Sequence, residues 1–189
     1  MPNREMQAVP ECTTARGAAI LLTGLPAAGK STVARALHRQ LLRQGLHSMV
    51  VDGDVLRSGL SSDLGFSAED RHENIRRASE LARLLVDNGQ VVILAMIAPQ
   101  AEQRELFARR LGERYREVWC NAPLDICEQR DPKGHYARAR RGELAGFTGV
   151  SAPYEVPQAP GLVLDTATQS VEACVDQLLG WLSACRLIA

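Results

Sequence analysis

The sequence predicts an α/β fold in three layers, α/β/α, with a mostly parallel central sheet. Three observations point there. Short apolar runs alternate with amphipathic segments of helical period along most of the chain. Residues 90–96, "QVVILAM", are almost continuously apolar, which suits a strand covered on both faces. A glycine-rich octapeptide, "GLPAAGKS", separates the first apolar run from the first amphipathic segment, giving the order strand, loop, helix.

Taken in order, residues 18–23, "AAILLT", form the first strand, ended by Gly24, and Val33, Ala34, Leu37, Leu41 and Leu42 recur at helical spacing after Lys30. Residues 47–51, "HSMVV", predict a second strand. A long helix over 67–87 follows, capped by Ser67 with Asp70 three residues on, burying Ile75, Ala78, Ala82 and Leu85 and stopping at Asn88 and Gly89. After the third strand, a helix begins near Pro99, a strand covers 117–120, and Pro123 opens a short helix at a first-turn position. Residues 131–160 are rich in glycine, proline and basic side chains and too long for an ordinary connection, which predicts a lid. A last strand at 162–164 and a helix carrying Val171, Val175, Leu178, Leu179 and Leu182 complete the alternation.

With 189 residues and 46% hydrophobic content, one core is expected: a single domain over 17–189 behind a flexible lead-in at 1–16. The lead-in has two prolines, mixed charge and no apolar stretch of signal-peptide length. Lys and Arg number 22, Asp and Glu 22, so no global field draws nucleic acid. No run reaches the roughly 18 apolar residues of a membrane span, and a cytoplasmic protein is expected. The five cysteines lack CxxC pairs and metal-ligand spacing with the four histidines, and read as buried or bystander thiols in a reducing compartment.

The octapeptide fits GxxxxGK[ST], the P-loop pattern, and its context between strand and helix marks a P-loop NTPase-type domain. Gly24 and Gly29 let the backbone turn its N–H groups toward phosphate oxygens at a helix N-terminus. Gly24, Leu25, Pro26, Ala27, Ala28, Gly29, Lys30 and Ser31 are thus the candidate cradle of a nucleoside triphosphate, with Lys30 reaching the β- and γ-phosphates and Ser31 a magnesium ligand. GTPases, transport ATPases and small-molecule kinases share this motif. No NKxD segment is present to read guanine, and the third strand ends without an aspartate, which leaves a small kinase.

The acceptor side begins at "VVDGDVLR", where Asp52 and Asp54 follow a strand at the end where such sheets bind ligands. One carboxylate can take the proton of the attacking hydroxyl and the other can orient groups nearby; Asp54 is the candidate base and Asp52, with Ser31, a candidate metal ligand. Arg57, then Arg71, Asn74 and Arg77 or its neighbour at helical spacing, suggest an anionic acceptor. Phe66 and Phe147 sit in glycine-flanked loops, where aromatic rings can sandwich a purine. An anionic, purine-containing acceptor is a nucleotide.

Together with "LGFSAEDRHENIRR", "CEQRDPKGHYARARRGELAGFTGV" and "PYEVPQAP", these segments resemble the adenylylsulfate kinase family, which phosphorylates the 3′-hydroxyl of adenosine 5′-phosphosulfate using ATP; the resemblance covers residues 24–160. It implies that Gly24 to Thr32 hold ATP, that Asp54, Arg57, Phe66, Arg71, Asn74, the backbone of Ile97 and Ala98, Lys133, Gly146 and Phe147 contact adenylylsulfate, and that Arg130 packs on the ATP adenine. It also implies a homodimer, with ATP sulfurylase as a candidate partner. The basic run "KGHYARARR" then belongs to a phosphate-covering lid rather than to a nucleic-acid surface. Two departures stand out: Ala98 where the family often has serine, and Pro26-Ala27 where serine-glycine is common. Without a hydroxyl at position 98, direct in-line transfer is expected. The rival readings are a kinase of another small anionic metabolite and a non-catalytic nucleotide-binding subunit of a sulfate-activating complex.

Overall fold

The computed structural model describes residues 17–188. The predicted apolar runs become β1 (Ala18–Thr23), β2 (Ser48–Asp52), β3 (Val91–Ala95), β4 (Tyr115–Asn121) and β5 (Leu162–Asp165), paired in the order β2-β3-β1-β4-β5. Every pairing is parallel, so the mostly parallel sheet is wholly parallel among the described residues. β1 lies at the centre and all six of its residues are buried.

Strand alternation sorts β1 between two layers. Ile20 and Leu22 face the core shared with α1 (Lys30–Arg43) and, at the C-terminus, α7 (Val171–Ala184). Ala19 and Leu21 face the other core, under α3 (Ala68–Asp87) and α4 (Ala101–Leu111). The three-layer architecture follows from this period-2 sorting along one fully buried strand.

The helix bounds follow from their caps. The Ser67 hydroxyl accepts from the Asp70 N–H and opens α3, and Gly89, at φ 77°, turns the chain out of it. α4 starts two residues after Pro99 because the Gln100 and Gln103 side chains and backbones cap it reciprocally. Pro123 precedes α5 (Leu124–Arg130) as its cap rather than standing in its first turn. Leu42 is half exposed, since the buried stripe of α1 ends at Leu41. Val86 rather than Leu85 completes the stripe of α3, and Cys174 rather than Leu179 that of α7.

Two helices lie outside the sequence-based expectation. α2 (Gly53–Ser58) follows directly from β2 because the Asp52 side chain accepts from the Asp54 N–H and caps it. Within residues 131–160, the segment predicted to be a lid, α6 (His135–Arg140) forms behind Gly134, a left-handed residue. The ends of β1, β2 and β3 and the lid open toward one side of the sheet, at the carboxyl ends of the strands.

Candidate active site

The phosphate loop begins where β1 ends. Gly24 has φ 149°, and a Cβ there would lie 2.5 Å from the Cys120 carbonyl oxygen, so only glycine fits. Ala27 occupies the left-handed region at φ 61°, a conformation costing an L-residue about 1–2 kcal/mol. Its neighbours hold it there: Tyr136 of the lid donates its hydroxyl to the Pro26 carbonyl at 3.0 Å, and the Thr166 hydroxyl donates to the Ala28 carbonyl at 2.8 Å.

Lys30 opens α1 and is almost wholly buried, with Nζ donating to the Gly24 and Leu25 carbonyls at 2.9 and 2.7 Å. Burial pushes its pKa down to about 8, opposed only in part by nearby thiols and the Asp54 and Asp52 carboxylates. A cation held this way, without a direct carboxylate bond, is set to receive phosphate oxygens.

The two aspartates have different surroundings. Asp52 is buried; one of its oxygens accepts from the Asp54 N–H at 3.0 Å and the other from the Ser31 hydroxyl at 2.6 Å. The Asp54 side chain is exposed and forms an ion pair with Lys133, carried in from the lid. Burial also drives the Cys120 thiol up to about 12 and raises Cys127, so both are inert in the core. Cys174 is buried and Cys185 partly so, while Cys12 lies outside the described residues.

On the acceptor side, Arg57 donates to the Gly65 carbonyl at 2.6 Å and places its guanidinium 4.6 Å from the centre of the Phe66 ring. Arg71 donates to the Phe66 carbonyl and, through its other arm, to the Gly146 carbonyl, each at 3.0 Å. One guanidinium therefore ties together the two loops that carry Phe66 and Phe147. Burial lowers both guanidinium pKa values, and Arg57 lowers that of Arg71 further. Two arginines whose hydrogen bonds go to backbone carbonyls leave positive charge available for an anion. The Phe147 ring stands edge-on to Tyr136 with centres 5.1 Å apart. Asn74 is buried, and its Oδ1 has no hydrogen-bond partner.

A cavity of about 1190 Å³ joins these parts. Its wall includes Pro26, Ala27, Gly29, Lys30, Ser31, Thr32, Asp52 and Asp54, and also Arg57, Phe66, Arg71, Asn74, Ile97, Arg130, Lys133 and Phe147. Gly24, Leu25, Ala28, Ala98 and Gly146 stand behind that wall. Gly24, Leu25 and Ala28 shape the loop through backbone turns and carbonyls, and the Gly146 carbonyl receives Arg71. Ala98, expected beside the acceptor, is buried at φ 41°, and its carbonyl accepts from Arg104 at 3.0 Å. Arg77 points away from the cavity, to Asp63 and Glu73, and pins the loop before α3. Arg130 donates to the Thr166 carbonyl at 2.6 Å, which fixes it at the end of β5.

Tyr136 and Thr166 escape a sequence reading. A buried tyrosine inside a basic run is a usable signal of packing; a single threonine after a strand carries none. Among the described residues no group of three or more His, Cys, Asp or Glu could hold a metal ion, and no helix is long and apolar enough to cross a membrane.

A family model described as adenylylsulphate kinase matches residues 16–165. An adenylyl-sulfate kinase of Paraburkholderia xenovorans (strain LB400) is 52% identical over 170 residues, 90% of this chain and 95% of that protein. The solved structure of Mycobacterium tuberculosis APS kinase in complex with AMPPNP and APS is similar with a TM-score of 0.85 and 44% identity, covering 89% of this chain and 98% of that one. A hexameric APS kinase from Thiobacillus denitrificans is similar at a TM-score of 0.69 and 29% identity, over 92% of this chain and 30% of that one.

Proposed function

The chain belongs to the adenylylsulphate kinase family, and from that premise we propose that it transfers the γ-phosphoryl group of ATP to the 3′-hydroxyl of adenosine 5′-phosphosulfate, giving 3′-phosphoadenylylsulfate and ADP. The observation that carries this reading is one cavity whose wall brings together Lys30 and Ser31 of the phosphate loop, Phe66, Arg71 and Phe147 of the acceptor side, and Asp54.

In this mechanism Lys30 leaves the Gly24 and Leu25 carbonyls for the β- and γ-phosphates, and Arg130 lies along the ATP adenine. The hydroxyl of Ser31 and the carboxylate of Asp52, 2.6 Å apart, are a hard, all-oxygen pair that would hold Mg²⁺. The chemistry supplied by an ion held by these two residues would be neutralisation of charge on the β- and γ-phosphates. Asp54 accepts the 3′-hydroxyl proton as the oxygen attacks phosphorus, and Lys133, released from Asp54, turns to the acceptor. Arg57 and Arg71 balance the phosphosulfate, the two phenylalanines take the adenine faces, and the unpaired Asn74 Oδ1 accepts from an acceptor N–H or O–H. The same reading places the protein in the cytoplasm as a homodimer, with ATP sulfurylase as its candidate partner.

The decisive test is coupled ADP release from purified protein with adenylylsulfate, gluconate or shikimate as acceptor. Turnover restricted to adenylylsulfate is expected; turnover with a hydroxy acid in its place would reassign the acceptor, and none with any of them would leave only nucleotide binding. Phe147→Ala is expected to raise KM for adenylylsulfate by about 5- to 160-fold, the equivalent of a base stack of about 1–3 kcal/mol, and to leave KM for ATP nearly unchanged. Equal rises for both substrates would make Phe147 a general lid residue.

A further inference from the structure

Directly after β3 the chain turns through Ile97 and Ala98, and Ile97 forms part of the cavity wall on the acceptor side. Ala98, at φ 41° and buried, is a non-glycine residue in the left-handed region, which persists only where its surroundings over-determine it. Two consecutive carbonyls supply that constraint. The Thr23 hydroxyl donates to the Ile97 carbonyl at 2.6 Å, and Arg104 donates to the Ala98 carbonyl at 3.0 Å. Arg104 is itself buried and paired with Glu117 at 3.2 Å.

Thr23 is the last residue of β1, next to Gly24 of the phosphate loop. A hydroxyl has one proton, and that of Thr23 is committed to a carbonyl oxygen that can only accept. In its 3.0 Å contact with the Tyr154 hydroxyl, Tyr154 is therefore the donor. The Tyr154 ring also stands 6.0 Å from the Arg104 guanidinium. The next residue, Glu155, donates its N–H to the Pro99 carbonyl at 2.8 Å, and its carboxylate accepts from the Ala101 N–H at 2.7 Å. Residues 154–155 lie within the same 131–160 segment, beyond the part that carries Lys133 and Phe147. One oxygen, Thr23 Oγ1, thus joins the phosphate-loop strand, the acceptor wall and the anchored end of the lid.

We propose that Thr23 and Tyr154 are positioning residues for the acceptor, holding the Ile97–Ala98 turn in register with the lid while touching no substrate themselves. The inference rests on the adenylylsulfate kinase reading above. Neither side chain lines the cavity, so each acts through the wall it braces.

The test compares Thr23→Val, which keeps the branched shape and removes the hydroxyl, Tyr154→Phe, which keeps the ring and removes the donor, and the double variant. Tyr154→Phe is expected to raise KM for adenylylsulfate about fivefold, the effect of one lost hydrogen bond, and Thr23→Val, which also leaves the Ile97 carbonyl without its donor, by more, with KM for ATP held within about twofold in both. Since both changes break the same bond, the double variant should be little worse than the poorer single one, and Thr23→Ser should restore KM. If Thr23→Val folds poorly, Tyr154→Phe and Thr23→Ser make the same comparison. Parallel rises for both substrates, or a lowered Tm with both KM values unchanged, would make the pair merely structural and overturn the proposal. Wild-type protein that releases no ADP with adenylylsulfate would instead overturn the functional reading, and this proposal with it.

Discussion

Asp54→Asn is expected to lower kcat by a factor of about 10² or more while KM for ATP stays within about twofold, because the carboxylate is needed as the hydroxyl proton leaves and not for nucleotide capture. The fold should survive. The Asp54 side chain is exposed, α2 is capped by Asp52 rather than by Asp54, and the ion pair to Lys133 is an exposed one that contributes at most about 1 kcal/mol. That ion pair calls for a control, since the substitution removes a lid contact as well as a base. Lys133→Ala breaks the same contact and keeps the carboxylate, so its effect should fall on KM for adenylylsulfate with kcat much less affected. Initial rates over a grid of both substrates separate the two cases. An Asp54→Asn enzyme with near wild-type kcat would remove Asp54 from the chemistry and turn the search for a base to the other carboxylates of the cavity wall, first the buried Asp52 beside Ser31.

Lys30→Met is expected to lower kcat by about 10²–10³, the typical cost of removing one preorganised donor that stabilises transition-state charge. Methionine keeps the length and apolar stem of the side chain, so the loss is of the ammonium rather than of packing. The pH dependence gives a second signature. In the free protein burial holds the Lys30 pKa down at about 8, and its charged form is the one that meets phosphate. kcat/KM for ATP, which reports the free enzyme, should therefore fall as pH rises through about 8. kcat should hold to higher pH, because bound phosphates favour the charged form and push the pKa back up. The stability effect runs the other way: with the folded pKa below the ordinary 10.5, the cost of burying the charge is fully present below about 8 and is relieved as pH rises from there toward 10.5. A flat kcat/KM profile to pH 10 would contradict the desolvated lysine.

The sequence by itself determined the strands, the helices other than α2 and α6, and the phosphate loop, because all of these are written in local terms. Apolar runs, a 3.6-residue stripe and Ser67 three residues before Asp70 depend only on near neighbours, and GxxxxGK[ST] needs only the strand before it and the helix after it. The acceptor residues were legible as types, namely arginines at helical spacing and phenylalanines in glycine-flanked loops. α2 was hidden because Asp-Gly-Asp reads equally well as a surface turn until the Asp52 side chain is seen to accept from the Asp54 N–H.

Only the tertiary structure decided what each side chain meets. It set Asp52 against Ser31 and gave Asp54 to the lid, although the two aspartates are two residues apart and of one type. It also turned Arg71 into a tie between two distant loops and withdrew the Ala98 side chain from the cavity wall. The contacts Thr23 to Tyr154 and Thr166 to Ala28 span 131 and 138 positions. Such partners have no local signature, since a hydroxyl selects whichever acceptor the packed sheet and helices bring within about 3 Å, and that proximity exists only once the chain has folded.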